Sequence, residues 1–360
     1  MNIEKINDIT EIQFPKLGWT FHIDPTAFSI GSIEIQWYGI LIVTGLILAM
    51  LYVMPKMKRF GLDADRAMDV IIGGVIGGII GARLYYVLLR WDEYKGDIKA
   101  IINTRNGGLA IYGGLIGAIL VGIIIAKIRK VRLRPMLDIV SPGFFIGQCF
   151  GRWGNFVNQE CFGSNTDSIF AMTGGRIQQT IIEQTAIGGD MNLNGNAAMM
   201  WDMGVHPCFF YESMGCLLGF LFLAFMSKRR KYDGQLFLMY LAWYGTIRFF
   251  IEGLRTDSLM AGNLKFSQLV SAVIAVASVI IQLVMLSKYK RDPESCVLYV
   301  NTEESKKLLE ESILRRSEEE KKSGKKTDKD KKENDAAEDA SILGDDDINE
   351  DNSTENNKED

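Results

Sequence analysis

The 360-residue sequence has only two histidines, seven prolines and five cysteines, and each shortage narrows what it can be. Cys149, Cys161, Cys208, Cys216 and Cys296 contain no CxxC pair and no zinc-ligand spacing, so neither a dithiol redox centre nor a structural zinc site is expected. Three of them lie in or beside apolar runs, where cysteine behaves as a small hydrophobe. The one disulfide that loop proximity would allow joins Cys161 to Cys208. Met1 to Thr20 lacks the basic-then-apolar pattern of a secretory leader, so membrane insertion would fall to the first apolar helix. Residues 301–360 lack aromatics altogether and carry 12 Lys/Arg against 21 Asp/Glu, a composition that cannot bury a core. The first 300 residues hold 28 basic against 23 acidic side chains and most of the apolar ones, too many for an ordinary soluble domain.

What the sequence does have is apolar length. A membrane-spanning helix needs roughly 20 mostly apolar residues, and seven segments qualify: Gln36–Met54, Val70–Leu89, Leu109–Ile128, Met136–Phe150, Phe209–Met226, Leu236–Ile251 and Leu269–Leu286. The expectation is an all-α, polytopic membrane protein with seven transmembrane helices. Lys/Arg-rich loops follow the first span (Lys56, Lys58, Arg59, Arg66), the third (Lys127 to Arg134), the fifth (Lys228 to Lys231) and the seventh (Lys288, Lys290, Arg291). By the positive-inside rule these loops are cytoplasmic, which places the N-terminus outside and the acidic tail inside. Arg90, Lys95, Lys99 and Arg105 make one outer loop an imperfect fit. Three regions follow: an extracytoplasmic segment 1–35, a helical domain 36–290 with an outer cap at about 164–205, and a largely disordered cytoplasmic tail 291–360. Deletion after about Asp292 is expected to keep activity. The second span carries Gly73-Gly74, Gly77-Gly78 and Gly81-Ala82, a small-residue stripe that suits close helix packing in lipid.

Charged residues at the centre of a spanning helix cost about 2.5–3.5 kcal/mol each on insertion scales, so their depth is informative. With the topology above, Trp37 and Tyr38, Arg83, Tyr112, the run Arg152–Asn155–Asn158–Glu160, the run His206–Tyr211–Glu212, and Arg248–Glu252–Arg255 all fall in the outer third of the membrane. Arg248, Glu252 and Arg255 recur at four and three residues and share a helix face. One ion pair there leaves a positive charge facing inward. Guanidinium groups bind phosphate bidentately and stay charged when partly desolvated, so the layer suits a phospholipid headgroup. A lipid-handling enzyme, a lipid or anion transporter and a seven-helix receptor all remain compatible with such a layer. The apolar inner halves of the spans disfavour alternating access.

The segment Gly151-Arg152-Trp153-Gly154-Asn155-Phe156-Val157-Asn158-Gln159-Glu160-Cys161-Phe162-Gly163 resembles the signature of the prolipoprotein diacylglyceryl transferase family. The resemblance extends over about residues 20–290, through Asp24-Pro25 to Trp37-Tyr38-Gly39, Gly107-Gly108 to Gly113-Gly114, His206-Pro207 to Tyr211-Glu212, and Arg248 to Arg255. It implies transfer of the diacylglyceryl group of phosphatidylglycerol to the lipobox cysteine thiol of a preprolipoprotein. The product is a thioether, glycerol-1-phosphate leaves, and this is the first step of bacterial lipoprotein maturation in the plasma membrane, with the site near the outer leaflet. The nucleophile belongs to the substrate, and no cofactor, metal or nucleic acid is expected. Arg152 would hold the phosphate, with Asn155 and Asn158 donating to headgroup oxygens. Arg248 would meet the developing charge of the leaving group, with Glu252 and Tyr112 beside it in the catalytic group. Glu160, Gly154, His206, Tyr211, Arg83, Arg255 and Tyr38 would support them. Many family members carry a histidine where this chain has Tyr112, and tyrosine, with a pKa near 10, is a weak base at neutral pH. The long segment Ser164–Val205 also departs from the compact family form.

Overall fold

The computed structural model describes residues 3–104, 107–186, 199–256, 260–261 and 264–318. It resolves into two units, Met1–Lys306 and Lys307–Asp360. The first contains the long helices α1 (Trp37–Val53), α2 (Ala64–Leu89), α3 (Ile111–Ile128), α4 (Leu133–Asn158), α6 (Cys208–Met226), α7 (Gln235–Leu254) and α8 (Phe266–Arg291), with a shorter α5 (Gly175–Ala186) between α4 and α6. In the second unit, the described residues 307–318 are helical. The disorder expected beyond Ser323 lies outside the described residues.

Among the described residues, five helical stretches are long and apolar enough to cross a membrane: Trp37–Phe60, Ala64–Leu89, Ile111–Ile128, Cys208–Met226 and Phe266–Arg291. The remaining two of the seven expected spans, α4 and α7, have the length but not the apolarity. They carry Arg134, Asp138 and Arg152, and Arg248 and Glu252, respectively. The outward faces of the apolar helices are uncovered: Leu51, Ile80 and Ile124 are each more than half exposed, as residues facing acyl chains would be.

Packing within the bundle follows residue size. On α2, Gly77 and Gly81 lie directly against Gly117 of α3; a Cβ on Gly117 would come within 2.2 Å of the Gly77 carbonyl oxygen, so the two backbones touch. That is the close approach the small-residue stripe suggests. Elsewhere α1 packs on α4 and α7 on α8. A core between α1, α4, α6 and α7 holds Val53, Met57, Phe60, Ile139, Phe145, Leu223, Leu236 and Tyr240. The N-terminal end of α7 is fixed by a buried carboxylate of α4: Asp138 accepts from the backbone N–H groups of Gly234 and Phe237 at 2.8 and 3.0 Å. This satisfies donors that a helix N-terminus leaves without intrahelical partners.

The all-α expectation needs correction: the described residues are mostly helical but include short strands. Strands β1 (Glu11–Phe14) and β2 (Trp19–His22) form an antiparallel hairpin, and β1 also pairs with β5 (Thr173–Gly174), from the connection between α4 and α6. A second hairpin, β3 (Thr26–Ile30) with β4 (Ile33–Gln36), leads into α1. The β1–β2–β5 sheet and α5 build a second apolar core over the end of α4, from Ile12, Phe14, Phe156, Val157, Phe162, Met172, Ile177, Ile181 and Phe209. All five cysteines are free thiols, including Cys161 and Cys208.

After α8 the chain turns back onto the loops between the helices. Ser305 Oγ donates to the buried Gly61 carbonyl at 2.9 Å, and the Tyr299 N–H donates to Asp233 at 2.6 Å. Arg132 makes a two-point contact with Glu304. A chain ending at Lys306 is therefore expected to keep the melting temperature of the full protein in detergent. One ending at Asp292 should melt lower by about 3–6 °C, the shift that ~2 kcal/mol gives in a domain of this size. Equal melting of the two would contradict a structural role for residues 294–306.

Candidate functional site

The signature segment forms the last turns of α4 and the bend after it. Gln159 and Cys161 both adopt left-handed backbone conformations, at φ 54° and 57°, which residues other than glycine seldom do. The bend returns Glu160 over the helix end, where its carboxylate accepts from Asn155 Nδ2 at 2.9 Å and Asn158 Nδ2 at 3.3 Å. The Gln159 side chain secures the bend. It donates to the Ile9 carbonyl at 2.7 Å and accepts from the Arg176 N–H at 3.0 Å, tying the outer hairpin and α5 to the signature. Gly154 supplies close approach: a Cβ there would lie 2.3 Å from the ring of Tyr38, which opens α1. Gly163 does the same beside His206 and Cys208.

Three helices converge on one ionic centre. Glu212, in the second turn of α6, forms an ion pair with Arg152 Nη2 of α4 at 3.1 Å and accepts from Arg248 Nη1 of α7 at 3.3 Å. The Tyr244 hydroxyl donates to the same carboxylate at 3.2 Å. Arg248 Nη2 lies 2.5 Å from Glu252 Oε2 one turn on, and Arg152 Nη1 donates to Asn155 Oδ1 at 3.2 Å. The carboxylates are deep and the guanidiniums shallower: side-chain exposure is 2% for Glu212 and Glu252, against 21% and 18% for Arg152 and Arg248. A buried carboxylate without a cation is costly, and breaking such a pair typically costs about 3–5 kcal/mol. A molecule entering this site meets positive groups first.

The sequence-predicted residues divide between this centre and other places. Arg152, Asn155, Asn158, Glu160, Arg248 and Glu252 form one connected network, with Tyr38 packed against its Gly154. Arg248 spends its contacts on both Glu212 and Glu252, so the shared face of α7 presents a compensated pair rather than a lone cation. Arg255, just past α7, bridges to Gly163, and its N–H donates to the Ile251 carbonyl at 3.1 Å. His206 and Tyr211 face each other, Nδ1 to hydroxyl at 3.4 Å.

Arg83 points elsewhere. Buried near the end of α2, it donates to the carbonyls of Ala100, Ile101, Gly107 and Gly108, at 2.6–3.1 Å, and so holds the connection from α2 to α3 together. Tyr112 is 43% exposed at the start of α3, and among the described residues no hydrogen bond joins it to the ionic centre. Tyr244, Gln159 and Lys265 were missed. Tyr244 sits four residues before Arg248, a spacing that could have marked it; Gln159 and Lys265 act on backbone groups, which side-chain spacing does not reveal. Asp8, Glu11 and His22, on and beside the β1–β2 hairpin, bring potential metal-ligand atoms within 4.8 Å of one another.

Long apolar helices around a buried guanidinium–carboxylate centre define a multi-pass membrane protein. The sequence model of the family "Prolipoprotein diacylglyceryl transferase" matches residues 25–284. The chain is 41% identical over 270 residues to the phosphatidylglycerol–prolipoprotein diacylglyceryl transferase of Finegoldia magna, covering 75% of this chain and 97% of that protein. It is 38% identical to the enzyme of that name from Listeria innocua over 271 residues, and 39% identical to that of Bacillus cytotoxicus over 264, covering 92% and 93% of those proteins and 75% and 73% of this one. The chain belongs to the prolipoprotein diacylglyceryl transferase family.

Partial burial pushes the imidazole of His206 below the ordinary histidine range. Near and below pH ~6.5 the unfolded chain then binds a proton that the folded chain does not, so this residue's contribution to stability is present above that pH and lost as pH falls. Melting temperature should drop on acidification from about pH 7 to about pH 5.5, and His206→Gln should flatten that slope. Identical slopes would contradict the assignment.

Proposed function

We propose that this protein transfers the diacylglyceryl group of phosphatidylglycerol to the lipobox cysteine of a preprolipoprotein, as the first step of bacterial lipoprotein maturation. The sulfur attacks the glyceryl carbon that carries the phosphate ester. A C–S bond forms as the C–O bond breaks, the electron pair leaves with the phosphate as glycerol-1-phosphate, and the thiol proton goes to a base. Thiolate, not thiol, is the competent nucleophile. The supporting observation is the stacking of charge at the centre: two partly accessible guanidiniums backed by buried carboxylates.

In this reading Arg152 and Arg248 clamp the phosphodiester and stabilise the charge that develops on the leaving group. Each guanidinium has five N–H donors, so phosphate binding need not displace Glu212. Asn155 and Asn158 turn from Glu160 to headgroup oxygens, while Glu160 and Glu252 orient the cationic side chains. Tyr38, Gly154, His206, Tyr211, Arg83 and Arg255 shape the surroundings. Tyr112 takes the position beside the incoming thiol.

The same reading places seven spans in the bacterial plasma membrane, with α4 and α7 as the two inner ones. The N-terminal segment 1–35 and the cap at 164–205 lie outside, the helical domain covers 36–290, and residues 291–360 lie in the cytoplasm. Contacts between the start of α6 and the ends of α4 and α7 support an up–down order with the site at one membrane face. The Lys/Arg-rich loops at the other ends support the cytoplasmic assignment of that side.

The test is a proteoliposome assay with phosphatidylglycerol labelled in an acyl chain and lipobox peptides bearing Cys or Ser. Label should pass to the Cys peptide alone, and Arg152→Ala should reduce the rate by about 100-fold or more, as loss of a preorganised charge-stabilising group does. No transfer would overturn the function; full activity in Arg152→Ala would overturn the site.

A further inference from the structure

The helix that carries Arg248 and Glu252 ends where it must be held most firmly. The last carbonyls of any α-helix have no intrahelical partner, and at the end of α7 each finds a specific one. The Ile251 carbonyl still takes the ordinary intrahelical bond from the Arg255 N–H; beyond it, the Leu254 carbonyl accepts from the Ser164 N–H at 2.9 Å, one residue past the signature. The carbonyls of Glu252, Gly253 and Arg255 all accept from one ammonium, Lys265 Nζ, at 2.8, 3.1 and 2.7 Å. Lys265 stands immediately before α8 and is 3% exposed. Three residues on, Gln268 Nε2 donates to the Phe249 carbonyl at 3.1 Å.

An ammonium group has three N–H donors and no acceptor, which matches the three carbonyls. Burying a lysine is expensive unless the charge is compensated. The negative end of a helix dipole supplies part of that compensation. Surface lysines give helix ends the same contact loosely; here one buried cation gathers the carbonyls of Glu252, its neighbour and Arg255. Its effect is to fix the angle at which the last turn of α7 leaves the bundle. Glu252 is one of the gripped residues, and its carboxylate pairs with Arg248.

We propose that Lys265 is a positioning residue for the transfer reaction, setting the placement of the Arg248–Glu252 pair through the backbone of α7. The proposal deepens the transferase reading and rests on it. Small displacements of a catalytic group can cost rate without costing fold.

Lys265→Met should accumulate in membranes and lower kcat for labelled phosphatidylglycerol by about 10–100-fold with little change in KM for the peptide. Lys265→Arg, which keeps the charge and the donors, should recover most of the rate. Hydrogen exchange of the amides at residues 251–256 should quicken in Lys265→Met while exchange along α2 and α3 stays unchanged. If the methionine variant does not accumulate, Lys265→Gln is measured in its place against the same expectations. Wild-type kcat in the neutral variant, or a rate loss with unchanged exchange at the end of α7, would overturn the proposal. Should the wild-type protein show no transfer, the transferase reading falls. Exchange at residues 251–256 then decides alone whether Lys265 fixes α7: faster exchange supports it and unchanged exchange refutes it.

Discussion

A single carboxylate buried among apolar helices constrains this structure more than any other group. Glu212 needs cations, and the two that reach it come from different helices, Arg152 from α4 and Arg248 from α7. Satisfying it fixes the relative depth of α4, α6 and α7, because sliding any one by a turn would move its charge about 5.4 Å along the axis. Tyr244 adds a neutral donor to the same oxygen that Arg152 contacts. The remaining carboxylates, Glu252 and Glu160, hold the outer parts of the network, one through Arg248 and the other through the two asparagines.

Much of the surrounding architecture keeps that centre in place. At its N-terminal end α7 is capped by Asp138, and at its C-terminal end by Lys265 and the Ser164 N–H. The signature bend holds two left-handed non-glycine residues, an arrangement that costs on the order of 1–3 kcal/mol at each and persists only where neighbours over-determine it. The neighbours here are the outer hairpin and α5, joined through Gln159, with the apolar cluster around Phe156 and Phe209 beneath. Short strands outside the helical bundle thus serve a site made by its helices.

The sequence made most of this site legible for a physical reason. Charged side chains in an apolar context are rare, so their depth and spacing carry information that they would not carry in a soluble protein. Arg152, Asn155, Asn158, Glu160, Arg248 and Glu252 could all be found that way, and the structure joins them into one network. Arg83 shows the limit of the method. It lies at the same depth, but four backbone carbonyls solvate it, and carbonyl groups are the same in every sequence. Lys265 and Asp138 escaped notice for the same reason, since both bind main-chain atoms. The short strands were hidden because none is long enough to show a clear period, and β1 pairs in addition with the distant β5. The fold back of residues 294–306 depends on Tyr299 and Ser305 meeting loops more than 60 residues away, which charge composition cannot reveal.

The central claim is that the Glu212 carboxylate couples the two arginines, and a thermal-stability mutant cycle measures it directly. Glu212→Gln keeps the shape and removes the charge, leaving Arg152 without this carboxylate and Arg248 with Glu252 alone. Glu212→Gln and Arg248→Gln, measured singly and together in detergent, should be strongly non-additive, with a coupling of more than about 1 kcal/mol, because the second substitution relieves part of what the first exposes. The same should hold with Arg152→Gln in place of Arg248→Gln. Additive losses in both pairs would show that the arginines stand independently of Glu212, and would contradict the account.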